Sequence, residues 1–401
     1  MAKLVYLSLP AHGHLNPVLP LIRELVQRFG HDVLVYSTPE FELRITQCGG
    51  QFRAYPANPL TAVGLSQAVR DGNMANMSRL LLEASESLIP FAVGEIRREA
   101  PRAVVFDATA VWAAVACRVL AVRSVATIPF LILQDSDLVR RRPRALLKAL
   151  GFVPALPGIV RSRRRLMKAY GSAMPAKLFP ALGELNIAFT SSTLQPRSPQ
   201  IDESFRFVGP SIDRQRDQIE FPFAQLDGRP VVYISLGTIH DQAYDFYRKC
   251  FEAFGDHPGQ FVLSVGTTTD QTRLASVPRN FIVRSHVPQL QILERCAVFV
   301  SHGGVNSIHE ALYSGVPLVL VPQQFEQLCN AVIVEERGAG LVIDGPALRG
   351  KLRASELRDS VQRLLGDGAF RSKAGELQRE LRATGGTAEA ADAIDAFIQR
   401  H

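Results

Sequence analysis

Short, nearly continuous apolar runs recur along this chain. Each is followed by a turn of small, glycine or proline residues and then by apolar residues at helical spacing. Residues 3–9 form the first run. Asn16 and Pro17 then read as a helix N-cap and first helical position. Val18, Leu19, Leu21, Ile22, Leu25, Val26 and Phe29 follow at helical spacing, and Gly30 closes the helix. Residues 31–37, 103–107 and 123–128 read as further strands, with a small-residue helix after the second of them. A polar, proline-containing passage from about 205 to 230 interrupts the pattern and reads as a linker. The alternation then restarts, with strands at 231–236, 261–265, 281–284, 297–301 and 318–321. Helices are expected at 244–254, 289–295, 306–313 and 327–337 and from about 355 onward. Strands alternating with helices predict parallel βαβ units with both sheet faces covered, so the fold class is α/β. A length of 401 residues is enough for two doubly wound domains, each with its own core.

Composition bounds the function class. A hydrophobic fraction of 47% and a charged fraction of 21% are those of a folded globular chain, and no apolar run is long enough for a transmembrane helix. The five cysteines, Cys48, Cys117, Cys250, Cys296 and Cys329, are odd in number and far apart. A disulfide framework and a zinc knuckle are therefore not expected, and a reduced, cytoplasmic setting is. The net charge of +7 is local: residues 140–168 hold ten cations and no acid, and subtracting them leaves −3 for the rest. Neither a known reader motif nor an aromatic-rich basic surface accompanies them, so no nucleic-acid partner is expected. The run reads as a solvated helical face or, more sharply, as a contact for an anionic or lipid-linked molecule at a membrane surface.

In doubly wound sheets ligands bind beyond the carboxyl ends of the strands. After the first strand stands Ala11-His12-Gly13-His14-Leu15-Asn16-Pro17. Gly13 permits close backbone approach. His14 reads either as a general base for a hydroxyl or as a loop histidine packed on its turn. Asp107 ends the strand AVVFD; it either caps the following helix or orients and stabilises a histidine. In the second half, a strand runs into His302-Gly303-Gly304-Val305-Asn306-Ser307, with Glu310 on the helix that follows. Glycines at a strand-to-helix turn with Asn and Ser at the helix start suit a phosphate cradle. Ser235-Leu236-Gly237-Thr238 is a second such turn, and Glu326-Gln327 follows a third strand. Competing motifs fail. Gly338-Ala339-Gly340 lacks a third glycine, Leu352 stands where a Walker A loop needs a hydroxyl, and no GxSxG is present. Asp135-Ser136-Asp137 reads as surface acids, not as a metal-binding DxD.

These residues together resemble the GT-B nucleotide-sugar glycosyltransferases, specifically the macrolide-type, natural-product branch of the UDP-glycosyltransferase superfamily. The resemblance covers nearly the whole chain and rests on the loop 13–17, the strand 104–107 and the long stretch 285–338. It implies two facing Rossmann-like domains with the active site in the cleft between them: 1–208 for the acceptor and 230–385 for the donor. A linker at 209–229 would join them, and a helix at 386–401 would pack back on the first domain. It implies inverting, metal-independent transfer of a hexose, with glucose from UDP-glucose favoured, onto a hydroxyl of an apolar acceptor such as a macrolide, polyketide or phenol. His14 would be the base and Asp107 its stabiliser. His302, Gly304, Asn306 and Ser307, with Ser235, Gly237 and Thr238, would hold the diphosphate. Glu310 would take the ribose hydroxyls, and Glu326 and Gln327 the sugar. His286, Val287 and Gln289 would frame the nucleobase and its ribose. His286 departs from the larger ring usual there, which leaves dTDP beside UDP as donor nucleotide. The segments 56–90 and 129–180, irregular insertions between strands, would wall the acceptor site, with Met74, Met77, Trp112, Phe130 and Leu133 as candidate lining. No cofactor is implied beyond the nucleotide-sugar, and the chain would act as a monomer or homodimer. A sugar-nucleotide epimerase or hydrolase of the same fold, or a non-catalytic nucleotide binder, are the other classes the motifs admit.

Overall fold

The computed structural model describes every residue except 58–59, 62–63, 66–67, 69–73, 134–149, 217–218, 238–242, 275, 346–350 and 401, and the side chains of 74 and 150–152. Thr238, the side chain of Met74, the acids Asp135 and Asp137, the cations from 140 to 148 and most of 345–351 therefore lie outside the described residues. The chain divides into two units. Met1–Gln134, Ala149–Ile212 and Thr384–His401 make one, and Asp213–Ala383 most of the other.

The first unit is a seven-stranded sheet of β1 (Lys3–Leu7), β2 (Asp32–Ser37), β3 (Gln51–Ala54), β4 (Ala103–Asp107), β5 (Ser124–Ile128), β6 (Leu185–Ala188) and β7 (Phe205–Phe207). Its order is β3-β2-β1-β4-β5-β6-β7 and every pairing is parallel. Successive side chains point to opposite faces, so each strand feeds two cores. Val5, Leu7, Val104 and Phe106 pack with α4 (Met74–Glu99) and α5 (Val111–Leu120). Leu4, Tyr6, Val33 and Val105 pack on the other face with α2 (Val18–Gln27) and α13 (Gly386–Gln399). The remaining described α-helices of this unit are α1 (His12–Leu15), α3 (Glu42–Gln47) and α6 (Leu156–Tyr170).

Several expectations need correction. Asn16 is helical at the end of α1 instead of capping α2, and its side-chain oxygen accepts from the Arg44 guanidinium at 2.8 Å. Residues 74–99 are no irregular insertion: they form one 26-residue helix that carries Pro90 inside it. The passage from 205 begins with edge strand β7, and edge strand β3 and inner strand β6 were not anticipated; three or four residues leave too little pattern to read.

The second unit is a six-stranded parallel sheet of β8 (Val231–Ser235), β9 (Gln260–Ser264), β10 (Phe281–Arg284), β11 (Val298–Ser301), β12 (Leu318–Leu320) and β13 (Gly340–Val342), in the order β10-β9-β8-β11-β12-β13. Its helices are α7 (Tyr244–Phe254), α8 (Gln289–Leu293), α9 (Val305–Tyr313), α10 (Phe325–Glu336), α11 (Ala354–Gly366) and α12 (Gly368–Arg382). Val232, Ile234, Phe261, Leu263, Val298 and Val300 form one core with α7 and α11. On the opposite face Tyr233 stacks on its register partner Phe299, with ring centroids 4.7 Å apart. Both sheets share one winding: the chain steps outward from the first strand of each, returns beside it, and proceeds the other way. The crevice-forming reversal lies between β1 and β4 in one unit and between β8 and β11 in the other.

Candidate active site

In the first unit the short helix α1 after β1 and the last residue of β4 carry a histidine–aspartate pair. Strand register sets Leu7 beside Phe106, which puts the next residues of both strands side by side at the sheet's carboxyl edge. Asp107 is fully buried there. Its Oδ1 accepts from the backbone N–H of Thr109 at 2.8 Å and from the Thr109 hydroxyl. That fixes the carboxylate plane and leaves Oδ2 to accept from His14 Nδ1–H at 2.8 Å. Because Nδ1 donates, the acceptor nitrogen of a neutral His14 is Nε2. His14 stands on the one-turn helix α1 with a quarter of its side chain exposed, while its partner is sealed. The buried Asp107 charge, after burial itself, holds the Tyr6 hydroxyl well above its ordinary range, so Tyr6 stays neutral and bonds Thr127 at 3.0 Å.

Neighbouring groups separate the two histidines of the loop. His12 packs edge-on against Phe41 and approaches the Arg44 guanidinium at 3.3 Å. Burial and that cation hold its imidazole below the ordinary range. Gly13 faces open space: a Cβ there meets nothing within 4 Å, so nothing in the chain itself demands glycine. Phe130 lies near the pair, its ring centroid 6.1 Å from that of His14. Met77 packs on the core around α4. Leu133 is half-buried. Trp112 corrects the expectation: it is fully buried against Tyr55 and is a core residue, with no surface to line a ligand site.

In the second unit β8 and β11 end as twins. Ser235 and Ser301 are register partners, and each Oγ accepts the N–H of the glycine two residues on: Gly237 at 3.2 Å and Gly303 at 3.3 Å. The His302 ring lies between two missing side chains. A Cβ on Gly237 would come within 2.6 Å of it and one on Gly304 within 2.5 Å. Gly237 and Gly303 also adopt positive φ, where L-residues are strained. Gly304 is the N-cap of α9, and no side chain caps it. The first-turn N–H groups of α9, beside Asn306 and Ser307, thus present the positive end of the helix with no acid in the first turn.

One turn further along α9, Glu310 is 3% exposed. Gln289 Nε2 donates to its Oε2 at 2.6 Å, and the hydroxyl of Tyr233 donates to Gln289 Oε1 at 3.1 Å. Arg216 grips both carboxylate oxygens, at 2.8 and 3.2 Å. His286 is exposed, whereas Val287 is buried, so its side chain belongs to the core and only its backbone is left for a base. Glu326, on the first turn of α10, accepts from Asn330 at 2.7 Å. Gln327 is buried, and its Oε1 accepts the N–H of Gln323 at 2.9 Å, closing the turn after β12.

Sequence reasoning missed Arg216, Thr109, Asn330 and Ser301. Thr109 and Asn330 had a readable signal: a hydroxyl two residues after a strand-end acid, and an amide four residues after Glu326 on one helix face. Arg216 had none, lying in a passage that reads as linker.

A family description of the erythromycin biosynthesis protein CIII-like C-terminal domain matches residues 249–397. The chain is 32% identical over 399 residues to an NDP-glycosyltransferase, YjiC, of Bacillus subtilis, covering 98% of this chain and 97% of that one. It is 31% identical over 398 residues, with the same coverage, to an uncharacterized UDP-glucosyltransferase, YojK, of the same organism. The crystal structure of the kitacinnamycin glycotransferase superposes with a TM-score of 0.81 at 29% identity, over 98% of both chains.

Proposed function

The chain belongs to the macrolide-type branch of the UDP-glycosyltransferases and is a glycosyltransferase, and from that premise we propose an inverting, metal-independent transfer of glucose from UDP-glucose to a hydroxyl of an apolar acceptor such as a phenol, polyketide or macrolide. The observation that carries this reading is the hydrogen bond between sealed Asp107 and partly exposed His14. In the proposed reaction His14 Nε2 takes the acceptor's hydroxyl proton as the oxygen attacks the anomeric carbon, and Asp107 stabilises the imidazolium that forms. The glycosyl–oxygen bond to the diphosphate breaks on the opposite face. The leaving charge is met by the first-turn amides of α9, by His302 and by the twin serine–glycine turns. Glu310 and Gln289 take the ribose and Glu326 the sugar. UDP is favoured by the name of one relative; the small ring at His286 keeps dTDP as the other candidate. A cytoplasmic setting belongs to the same reading: all five cysteines are buried and none is in a disulfide.

Incubation with UDP-glucose or a dTDP-sugar, with and without a phenolic or macrolide acceptor, tests it. Conjugate formed only with acceptor is expected; donor breakdown without acceptor would point to an epimerase or hydrolase, and nucleotide binding with no turnover to a non-catalytic binder.

A groove on α6 favours a second reading of the acceptor. Val153, Leu156, Pro157 and Val160 line it together with Arg161, Arg164 and Arg165. Val153, Leu156, Val160 and Met167 are four exposed large apolar side chains within fifteen residues. Apolar lining beside guanidinium groups suits an anionic amphiphile, and hence a lipid-linked acceptor at a membrane surface. Among the described residues no helix is long and apolar enough to cross a membrane. Co-sedimentation with phosphatidylglycerol vesicles, absent with phosphatidylcholine and lost in R161A/R164A, is the expected result; no pelleting with either lipid removes this reading.

A further inference from the structure

Glu310 is the most heavily occupied carboxylate of the second unit's candidate site. An ionised carboxylate offers about four lone-pair positions. Three are taken: one by Gln289 Nε2 and two by the Arg216 fork. The pair is nearly sealed, with Arg216 one-fifth exposed and Glu310 almost wholly buried. Arg216 belongs to the same unit as Glu310, so the grip is internal to that unit. A planar guanidinium bound edge-on to both oxygens is the strong, directional form of such a contact, one that a lysine ammonium cannot reproduce.

A ribose read through its 2′- and 3′-hydroxyls presents two adjacent donors, the same count and spacing that the guanidinium presents. Both cannot be seated in full on a carboxylate that also serves Gln289. A 2′-deoxyribose brings one donor, which fits the position left open on Oε1. We propose that Arg216 sets the sugar selectivity of the donor nucleotide: by competing with the ribose diol for Glu310, it cancels the advantage of a 2′-hydroxyl and lets 2′-deoxyribonucleoside diphosphates bind as well as ribonucleoside diphosphates. This rests on the reading of Glu310 as the ribose carboxylate. Arg216 acts through Glu310 and is a positioning residue. Its replacement shifts selectivity between two nucleotides that differ by one oxygen, a change that a merely structural role does not produce.

Titration calorimetry of the full chain with UDP and with 2′-deoxy-UDP tests this, because the two share base and diphosphate. In the native protein the two dissociation constants are expected to agree within about threefold. In R216A the diol gains the vacated positions, and UDP is expected to bind about tenfold better than 2′-deoxy-UDP. R216K, which keeps the charge on Glu310 paired but supplies no fork, is expected to fall between and guards against loss of folding in R216A. A native preference for UDP of tenfold or more, or a ratio that neither variant moves, overturns the role of Arg216. E310Q separates the two layers. If it weakens UDP binding while the Arg216 variants leave the ratio unchanged, only the competition fails; if it alters neither nucleotide, the ribose reading of Glu310 fails with it.

Discussion

Each unit reverses its sheet order at one point, and the two reversals are chemically unlike. Between β1 and β4 the strand ends hold a histidine–aspartate pair: a buried carboxylate, clamped by Thr109, bonded to a partly exposed imidazole. Between β8 and β11 the described residues at the strand ends are hydroxyls, glycines and amides around the ring of His302. In the proposed transfer the same winding would serve two different tasks. A base must present a single nitrogen with a fixed tautomer, which takes a charge and a clamp. A pyrophosphate site must present many weak donors at once, which takes bare backbone. Glycine has opposite meanings at the two places: at Gly237 and Gly304 its absence of a side chain makes room for part of the protein, and at Gly13 it leaves space that the protein does not fill.

The sharpest way to break this contrast is H14A. Transfer to a hydroxyl acceptor is expected to fall by about 10²–10⁴-fold with UDP affinity unchanged; unaltered turnover in the folded variant would take His14 out of the chemistry. Next come the glycines. G304A drives a Cβ into the His302 ring and is expected to weaken UDP binding about tenfold. G13A should leave UDP affinity and the melting temperature alone while slowing transfer. Equal losses of nucleotide affinity in both variants would erase the distinction. T109A removes one of two donors on Asp107 Oδ1 and keeps the backbone one, so turnover should drop only several-fold, about 1 kcal/mol.

The smallest effect concerns pH. Burial pushes His309 on α9 down to about 4. Its folded pKa lies below its unfolded value, so the unfolded chain binds the extra proton between about pH 6.5 and 4. Stability from this group is complete above that window and is lost as pH falls through it, by at most about 1.4 kcal/mol per pH unit. Urea unfolding at several pH values should show a shallower slope for H309Q than for the native chain; identical slopes would assign the acid sensitivity elsewhere.

Central strands were legible because they are buried on both faces and read as uninterrupted apolar runs; β4 and α7 fall on the residues that the pattern gives. Rim strands β3 and β7 were not, being short and half-exposed. The long helix α4 was hidden by Pro90, a residue that ordinarily ends a helix. At the candidate site, residue types that need a strand end and a turn could be read in order along the chain. Burial could not, and burial is what makes Trp112 a core residue. Arg216 escaped for a different reason: its partner is 94 positions away, and pairwise proximity at that separation has no local signature.

Helix α13 has a bearing on synthesis. Ala390, Ala391, Ile394 and Ile398 complete the core of which Leu4, Leu21 and Val33 are the opening members, and Asp395 bonds the buried His31 at 3.1 Å. Strands made early are finished by a helix made some 364 positions later. Until α13 has been synthesised the first unit's sheet carries an uncovered greasy flank, and a stop codon just before that helix would damage strands laid down far upstream of it.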